Sequence, residues 1–240
     1  MSEYWESKFK AEGALWKFEP SDSAVIALQL FKAEKIRHVL IPGMGYGRNA
    51  GLFYEHGFKL TGIEISKSAI DIARANGLDF KIHHGSVLSM PFDNRQFDGI
   101  YCYALIHLLN KNERKRFLAS CYNQLKEGGL MIFVVATTQM SMYGSGKYLS
   151  KDRYRISKGL NVLFYDDASV LKEFSEFGLM THYNVLEPVK FTSGFDPMPL
   201  KFVLCKKGYK NEAFGIPRPR LHQMLGELND QGTRKSKSQK

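Results

Sequence analysis

The sequence predicts an α/β protein built on a doubly wound, mostly parallel sheet, and three observations predict it. Short apolar runs alternate with amphipathic stretches between residues 35 and 206. One run, Val39-Leu40-Ile41-Pro42, leads directly into Gly43, Gly45 and Gly47 and then into a helical pattern. Seven strand candidates can be placed, with helices between most of them. Right-handed βαβ winding then leaves helices on both faces of the sheet.

The elements follow in order. Residues 1–34 carry Tyr4, Trp5, Phe9, Trp16 and Phe18 among charges, and read as an N-terminal lid or helix; Ser21-Asp22-Ser23 caps an apolar helix over 24–31. The strand candidates are 36–41, 59–65, 80–83, 97–103, 130–136, 180–186 and 201–205. Ser66 caps a helix running to Asn76, with Ala69, Ile70, Ile72 and Ala73 inward and Gly77 as its stop. A second helix is expected over 112–125, where Phe117, Leu118, Cys121, Tyr122 and Leu125 recur at helical spacing, with Gly128-Gly129 ending it. Asp166 and Asp167 open a third, closed by Gly178. From 137 to 165 the pattern lapses into a mixture of aromatic, basic and glycine residues, read as an irregular insert over the site. The expected organisation is therefore one domain over residues 1–207, followed by a basic, partly disordered tail over 208–240.

Composition excludes several classes. No apolar run approaches the roughly 20 residues that span a bilayer, and the N-terminus does not resemble a secretory signal. Cys102, Cys121 and Cys205 lie far apart in apolar surroundings, which suits buried thiols in the cytoplasm rather than disulfides or a metal site. The net charge is +10, but from Lys207 onward eight basic residues face three acidic ones, so half of the excess belongs to the tail. Nucleic acid is accordingly not the expected partner, nor is a membrane. Oligomeric state is not legible.

Three strand ends carry groups suited to a nucleotide-like ligand, which in this architecture binds beyond the carboxyl ends of the strands. Gly43, Met44, Gly45 and Gly47 form a turn whose glycines allow close backbone approach and free N–H groups. Glu64 stands 17 residues past Gly47, where a carboxylate accepts hydrogen bonds from both ribose hydroxyls and repels a phosphate. Gly85-Ser86-Val87-Leu88 follows the third strand, where a side-chain oxygen and backbone N–H groups face an adenine edge. A dinucleotide fingerprint places its third glycine at relative position 6; here that residue is Arg48. The turn thus suits S-adenosylmethionine, which has no phosphate.

The series VLIPGMGYGRNA, GIEIS, HGSVLSMPF, RQFDGIYCYALIHLL and LKEGGLMIFV resembles the motif order of class I S-adenosylmethionine-dependent methyltransferases, over about residues 5–207 and most strongly from 39 to 134. The resemblance implies a seven-stranded sheet with an antiparallel last strand, and S-adenosyl-L-methionine as cofactor. It implies that Gly43, Met44, Gly45 and Gly47 approach the methionine part, and that Glu64 holds the ribose with Ile65 beside the adenine. Ser86 and Val87 then meet the adenine, and Tyr103 to Leu105 lie beneath the sulfonium. Ile41 stands where many members carry an acid for the ammonium, and Ser86 where many carry another acid. The Val-Leu-Ile-Pro-Gly form and the Trp5-Glu6 and Trp16 context are similar to the small-molecule thiol, thiopurine and tellurite-resistance-type branch.

Methyl transfer is an in-line displacement in which the protein supplies position and electrostatics. His107, just past the fourth strand, is the candidate base, whereas His83 and His84 are read as structural. Trp16 and Phe18 are candidates to close over the sulfonium through their π faces, with ordinary amphipathic packing as the alternative. The function expected is methyl transfer to a small-molecule acceptor. An NAD-dependent oxidoreductase and a non-catalytic cofactor binder are the alternatives.

Overall fold

The computed structural model describes residues 2–14, 17–91, 96–187 and 197–210. Contacts divide the chain into two units, Met1–Tyr209 and Lys210–Lys240; of the second, only Lys210 is described. Trp16 and most of the expected tail lie outside the described residues.

Helix α1 (Ser2–Glu12) is followed by α2 (Asp22–Ala33), capped by Ser21, whose hydroxyl accepts from the Ala24 N–H. Then come β1 (His38–Pro42), α3 (Arg48–Glu55), β2 (Lys59–Glu64), α4 (Lys67–Ala75), β3 (Lys81–His84) and β4 (Phe97–Tyr103). The chain continues through α5 (Lys111–Gln124), β5 (Leu125–Ala136), β6 (Lys147–Ser150), β7 (Arg153–Ser157) and β8 (Leu160–Leu163). It closes with α6 (Asp167–Phe174), β9 (Leu179–Glu187) and β10 (Met198–Lys206).

Seven strands form one sheet in the order β3-β2-β1-β4-β5-β10-β9. All pairs are parallel except those of β10, which runs antiparallel to both β5 and β9. The chain moves outward from β1 to β3 and returns to β4 on the other side of β1. The winding therefore reverses between β1 and β4, the place where open α/β sheets bind ligands at their carboxyl edge. Alternation along β4 sends Ile100 and Cys102 to one face and Tyr101 to the other. The first face packs Phe117, Phe133 and Phe174 into the main core; on the second, Tyr101 meets Phe53, which meets Phe31. The three cysteines are buried and free, and no helix among the described residues is long and apolar enough to cross a membrane.

Two expectations need correction. Residues 137–165 are not irregular throughout: β6, β7 and β8 form a separate antiparallel sheet. Its strands are only four or five residues long, and only β7 alternates, with Arg153 and Arg155 as its charged positions, so they carry little apolar periodicity. Their shared stabilisation is a cluster of Tyr143, Tyr148, Tyr154 and Phe164 rings. The helix expected over 112–125 starts earlier, with Asn110 and Glu113 forming a reciprocal capping box, and gives way to β5 at Leu125 rather than at the glycine pair. Gly129 serves close packing instead, since a Cβ there would stand 2.8 Å from the Asp98 carbonyl oxygen.

Candidate cofactor site

The glycine turn connects β1 to α3 at the point where the winding reverses. Gly43, Gly45 and Gly47 all take left-handed φ, at +62°, +57° and +85°. The N–H groups of Gly43 and Met44 both donate to the Ile63 carbonyl, at 2.8 and 3.3 Å, which ties the turn to β2. Gly47 leaves its N–H on the Met44 carbonyl and caps α3.

Glu64 ends β2 and is 5% exposed. Its Oε2 accepts from the Gly45 N–H at 2.8 Å, and its Oε1 from the N–H groups of Ile65 and Ser66 at 2.8 and 2.9 Å. Burial pushes the carboxyl up from its ordinary value, and these backbone donors work against that shift. A carboxylate has about four lone-pair sites; three are taken by the backbone, so one remains.

At the next strand end, Gly85 donates to the Glu64 carbonyl at 2.8 Å. Ser86 caps a short 3₁₀ turn over Val87–Ser89, its hydroxyl accepting from Leu88. Beyond β1 on the other side, Tyr103 ends β4. Ala104 follows with φ +52°, an unusual conformation for a residue with a Cβ, and its N–H is held on the Val134 carbonyl at 2.9 Å. That turn lays the Leu105 side chain against Gly43, where a Cβ would come within 2.9 Å of it. Replacing Ala104 with glycine is expected to raise stability by about 1 kcal/mol, read as a higher melting temperature.

Helix α1 lies over the turn. The Glu6 carboxylate accepts from the Ser66 and Ser68 hydroxyls, both at 2.7 Å, and from the Ser68 N–H at 3.2 Å, at the start of α4. These bonds lower its pKa to about 2. Phe9, 5% exposed, packs with Tyr46 and Ala69, and its ring is the nearest group to Gly45, 3.7 Å from a Cβ built there. Trp5 stacks on Phe9, while Phe18 meets Tyr46 from the other side. At its N-terminal end, Tyr4 touches Gly159 in the turn between β7 and β8.

Within the family comparison, residues 39–129 match the model described as a methyltransferase domain. Over that segment the chain is similar to a methyltransferase domain. A ubiquinone biosynthesis O-methyltransferase of Coxiella burnetii is 26% identical over 113 residues, 45% of this chain and 47% of that protein. The chain thus spans about half the length of the curated relatives it matches. Among solved structures, one from work on the conversion of a disulfide bond into a thioacetal group during echinomycin biosynthesis superposes with a TM-score of 0.68, at 18% identity, covering 95% of this chain and 99% of that one. The 1,6-didemethyltoxoflavin-N1-methyltransferase of Burkholderia thailandensis, with S-adenosylhomocysteine bound, gives 0.66 at 16% identity and 86% of each chain. These matches bear on the fold and do not single out a branch.

The N–H groups of Gly43, Met44, Gly45 and Gly47, expected to be free, are all bonded within the protein. S-adenosyl-L-methionine, which carries no phosphate, fits a glycine turn beside a buried carboxylate that lacks the third, helix-packing glycine of a dinucleotide fingerprint. Arg48 occupies that position, and its Nε donates to the Glu19 carbonyl at 2.6 Å. The structure brings together Gly43, Met44, Gly45, Gly47, Glu64, Ile65 and Leu105. Ser86 and Val87 sit at the neighbouring strand end, and Tyr103 precedes the strained turn.

His107 does not have the geometry of a base. It is 7% exposed in a short 3₁₀ turn over Ile106–Leu108, and its Nδ1 accepts the Ala136 N–H at 3.1 Å. Burial lowers its pKa to about 4, so the ring is neutral at pH 7 with its proton on Nε2. Because the folded pKa lies below the ordinary 6.5, the unfolded chain takes up this proton first on acidification. The stabilisation is complete above pH 6.5 and is lost as pH falls toward 4. Unfolding free energies of His107→Gln across that window are expected to vary less steeply with pH than those of the wild type.

Sequence reasoning assigned no role to the Glu6 or Glu187 carboxylates. A lone glutamate in a charged helix carries no signal. Glu187 carries the same one as Glu64, an acid closing an apolar strand.

Proposed function

We propose that this protein transfers the methyl group of S-adenosyl-L-methionine to a small-molecule acceptor. The observation that carries the reading is the buried Glu64 carboxylate on the Gly45 N–H, at the reversal point of the sheet. When bound, the cofactor supplies an electrophilic methyl carbon on a cationic sulfur. Glu64 offers its remaining lone pair to one ribose hydroxyl, with Ile65, Ser86 and Val87 around the adenine. Gly43, Met44, Gly45 and Gly47 face the methionine part, and Tyr103 and Leu105 close the β4 side. The Trp5, Phe9 and Tyr46 rings lie over the turn and exclude water from it.

A small acceptor is supported by that roof. Helix α1 reaches from Ser66 and Ser68 to Gly159, so the β6–β8 insert and the helix together cover the carboxyl edge. The Burkholderia thailandensis protein, whose described ligand is 1,6-didemethyltoxoflavin, has the same fold. With no base at His107, the reading favours acceptors that are nucleophilic without one, such as a thiolate. The buried free thiols suit a cytoplasmic setting.

Calorimetry with S-adenosylhomocysteine and NAD in parallel tests the reading. Binding of the first alone is expected; retention of NAD alone would overturn it. Methyl consumption across a panel of thiols, amines and carboxylates then separates an enzyme from a cofactor-binding protein.

A further inference from the structure

Two carboxylates are buried among the described residues, Glu64 and Glu187, and both end strands at the carboxyl edge of the sheet. The reading above uses only the first. Glu187 is 2% exposed. Its Oε1 accepts from the Ser23 N–H at 2.6 Å, in the first turn of α2, and its Oε2 from the Tyr103 hydroxyl at 2.7 Å. Both donors are neutral. Among the described residues no cationic side chain forms an ion pair with it, and nearby Asp22 adds repulsion. Arg48 acts on Tyr103 electrostatically, but its Nε bonds away to Glu19. A buried carboxylate held only by neutral groups is costly, and a ligand cation would relieve that cost.

The position of the pair says which cation. Its hydrogen bond runs from β4 to β9, strands separated in the sheet by β5 and β10. With the ribose on β2, the rest of the cofactor must extend across β1 toward β4, where Tyr103 stands. The turn itself, residues 43–47, carries no carboxylate, and the residue two before Gly43 is the buried Ile41. We propose that the Tyr103–Glu187 pair receives the ammonium of the cofactor's amino-acid end, an assignment that rests on the S-adenosylmethionine reading. Tyr103 is partly exposed, and its hydroxyl is spent as a donor on Glu187, which leaves the phenolic oxygen's lone pairs as acceptors. Donation to the carboxylate behind it makes that oxygen a stronger acceptor.

The test compares S-adenosylhomocysteine with 5′-methylthioadenosine, which has the same nucleoside and thioether but no amino-acid end. By calorimetry, wild type is expected to hold S-adenosylhomocysteine more tightly. Glu187→Gln is expected to weaken that ligand by about tenfold while leaving 5′-methylthioadenosine within about twofold. Tyr103→Phe is expected to shift the ratio in the same direction, and it decides the matter if Glu187→Gln does not fold. Equal weakening of both ligands would mean that the pair only braces α2 against the sheet, and an unchanged ratio would also overturn the assignment. A wild type that binds both ligands equally removes this assignment alone. Binding of neither removes the cofactor reading, and the assignment with it.

Discussion

Replacing Glu64 with alanine is expected to lower folding stability by about 3 kcal/mol and to weaken S-adenosylhomocysteine by about 1.5–3 kcal/mol. The two losses have different origins. The carboxylate satisfies the N–H groups of Gly45, Ile65 and Ser66, and truncation leaves these buried donors without their acceptor. Each such donor costs about 1–3 kcal/mol when wholly unsatisfied, less where water enters the space vacated. The binding loss comes from the lone pair facing the ribose. Glu64→Gln separates the two, because its amide oxygen still accepts from part of the backbone set. Urea denaturation reads the first quantity and calorimetry on the folded fraction the second. An affinity within about twofold of wild type would show that Glu64 braces the turn without touching the ligand.

Gly47→Ala is expected to cost about 2–4 kcal/mol of stability. A Cβ at φ +85° is strained in itself, and it would stand 2.2 Å from Leu78 Cδ1. Leu78 is buried, so its side chain must shift within a packed surrounding. Gly45→Ala provides the contrast. Its Cβ would meet nothing closer than Phe9 at 3.7 Å, leaving mainly the conformational penalty of about 1 kcal/mol. The added methyl group would, however, occupy the face on which the cofactor is placed. Chemical denaturation with calorimetry should therefore show Gly47→Ala acting chiefly on stability and Gly45→Ala chiefly on S-adenosylhomocysteine binding. The reverse pattern would mean that the open side of the turn has been misassigned.

Local chemistry made much of this legible in the sequence. β-Branched runs, capping residues and glycine stops depend on neighbours a few positions away. The strands, the Ser66 cap of α4 and the Asp166 cap of α6 could therefore be placed without a fold. The insert between β5 and α6 was harder, because its short strands are stabilised by ring contacts rather than by an apolar face. Among the site residues, the glycine turn and Glu64 were readable because both lie in one βαβ unit. Glu6 was not, being 60 residues from Ser66 in the chain; nor was the pairing of Glu187 with Tyr103, 84 residues apart.

The sequence by itself determined the α/β class, the seven strands and the glycine turn with its facing acid, since each arises from short-range sterics and periodicity. Only the tertiary structure decided that α1 covers that turn, that the His107 ring accepts a backbone bond and is held neutral, and that a second carboxylate is buried opposite the first. Those outcomes depend on desolvation and on contacts between distant segments, and a linear pattern carries no record of which side chains water will leave.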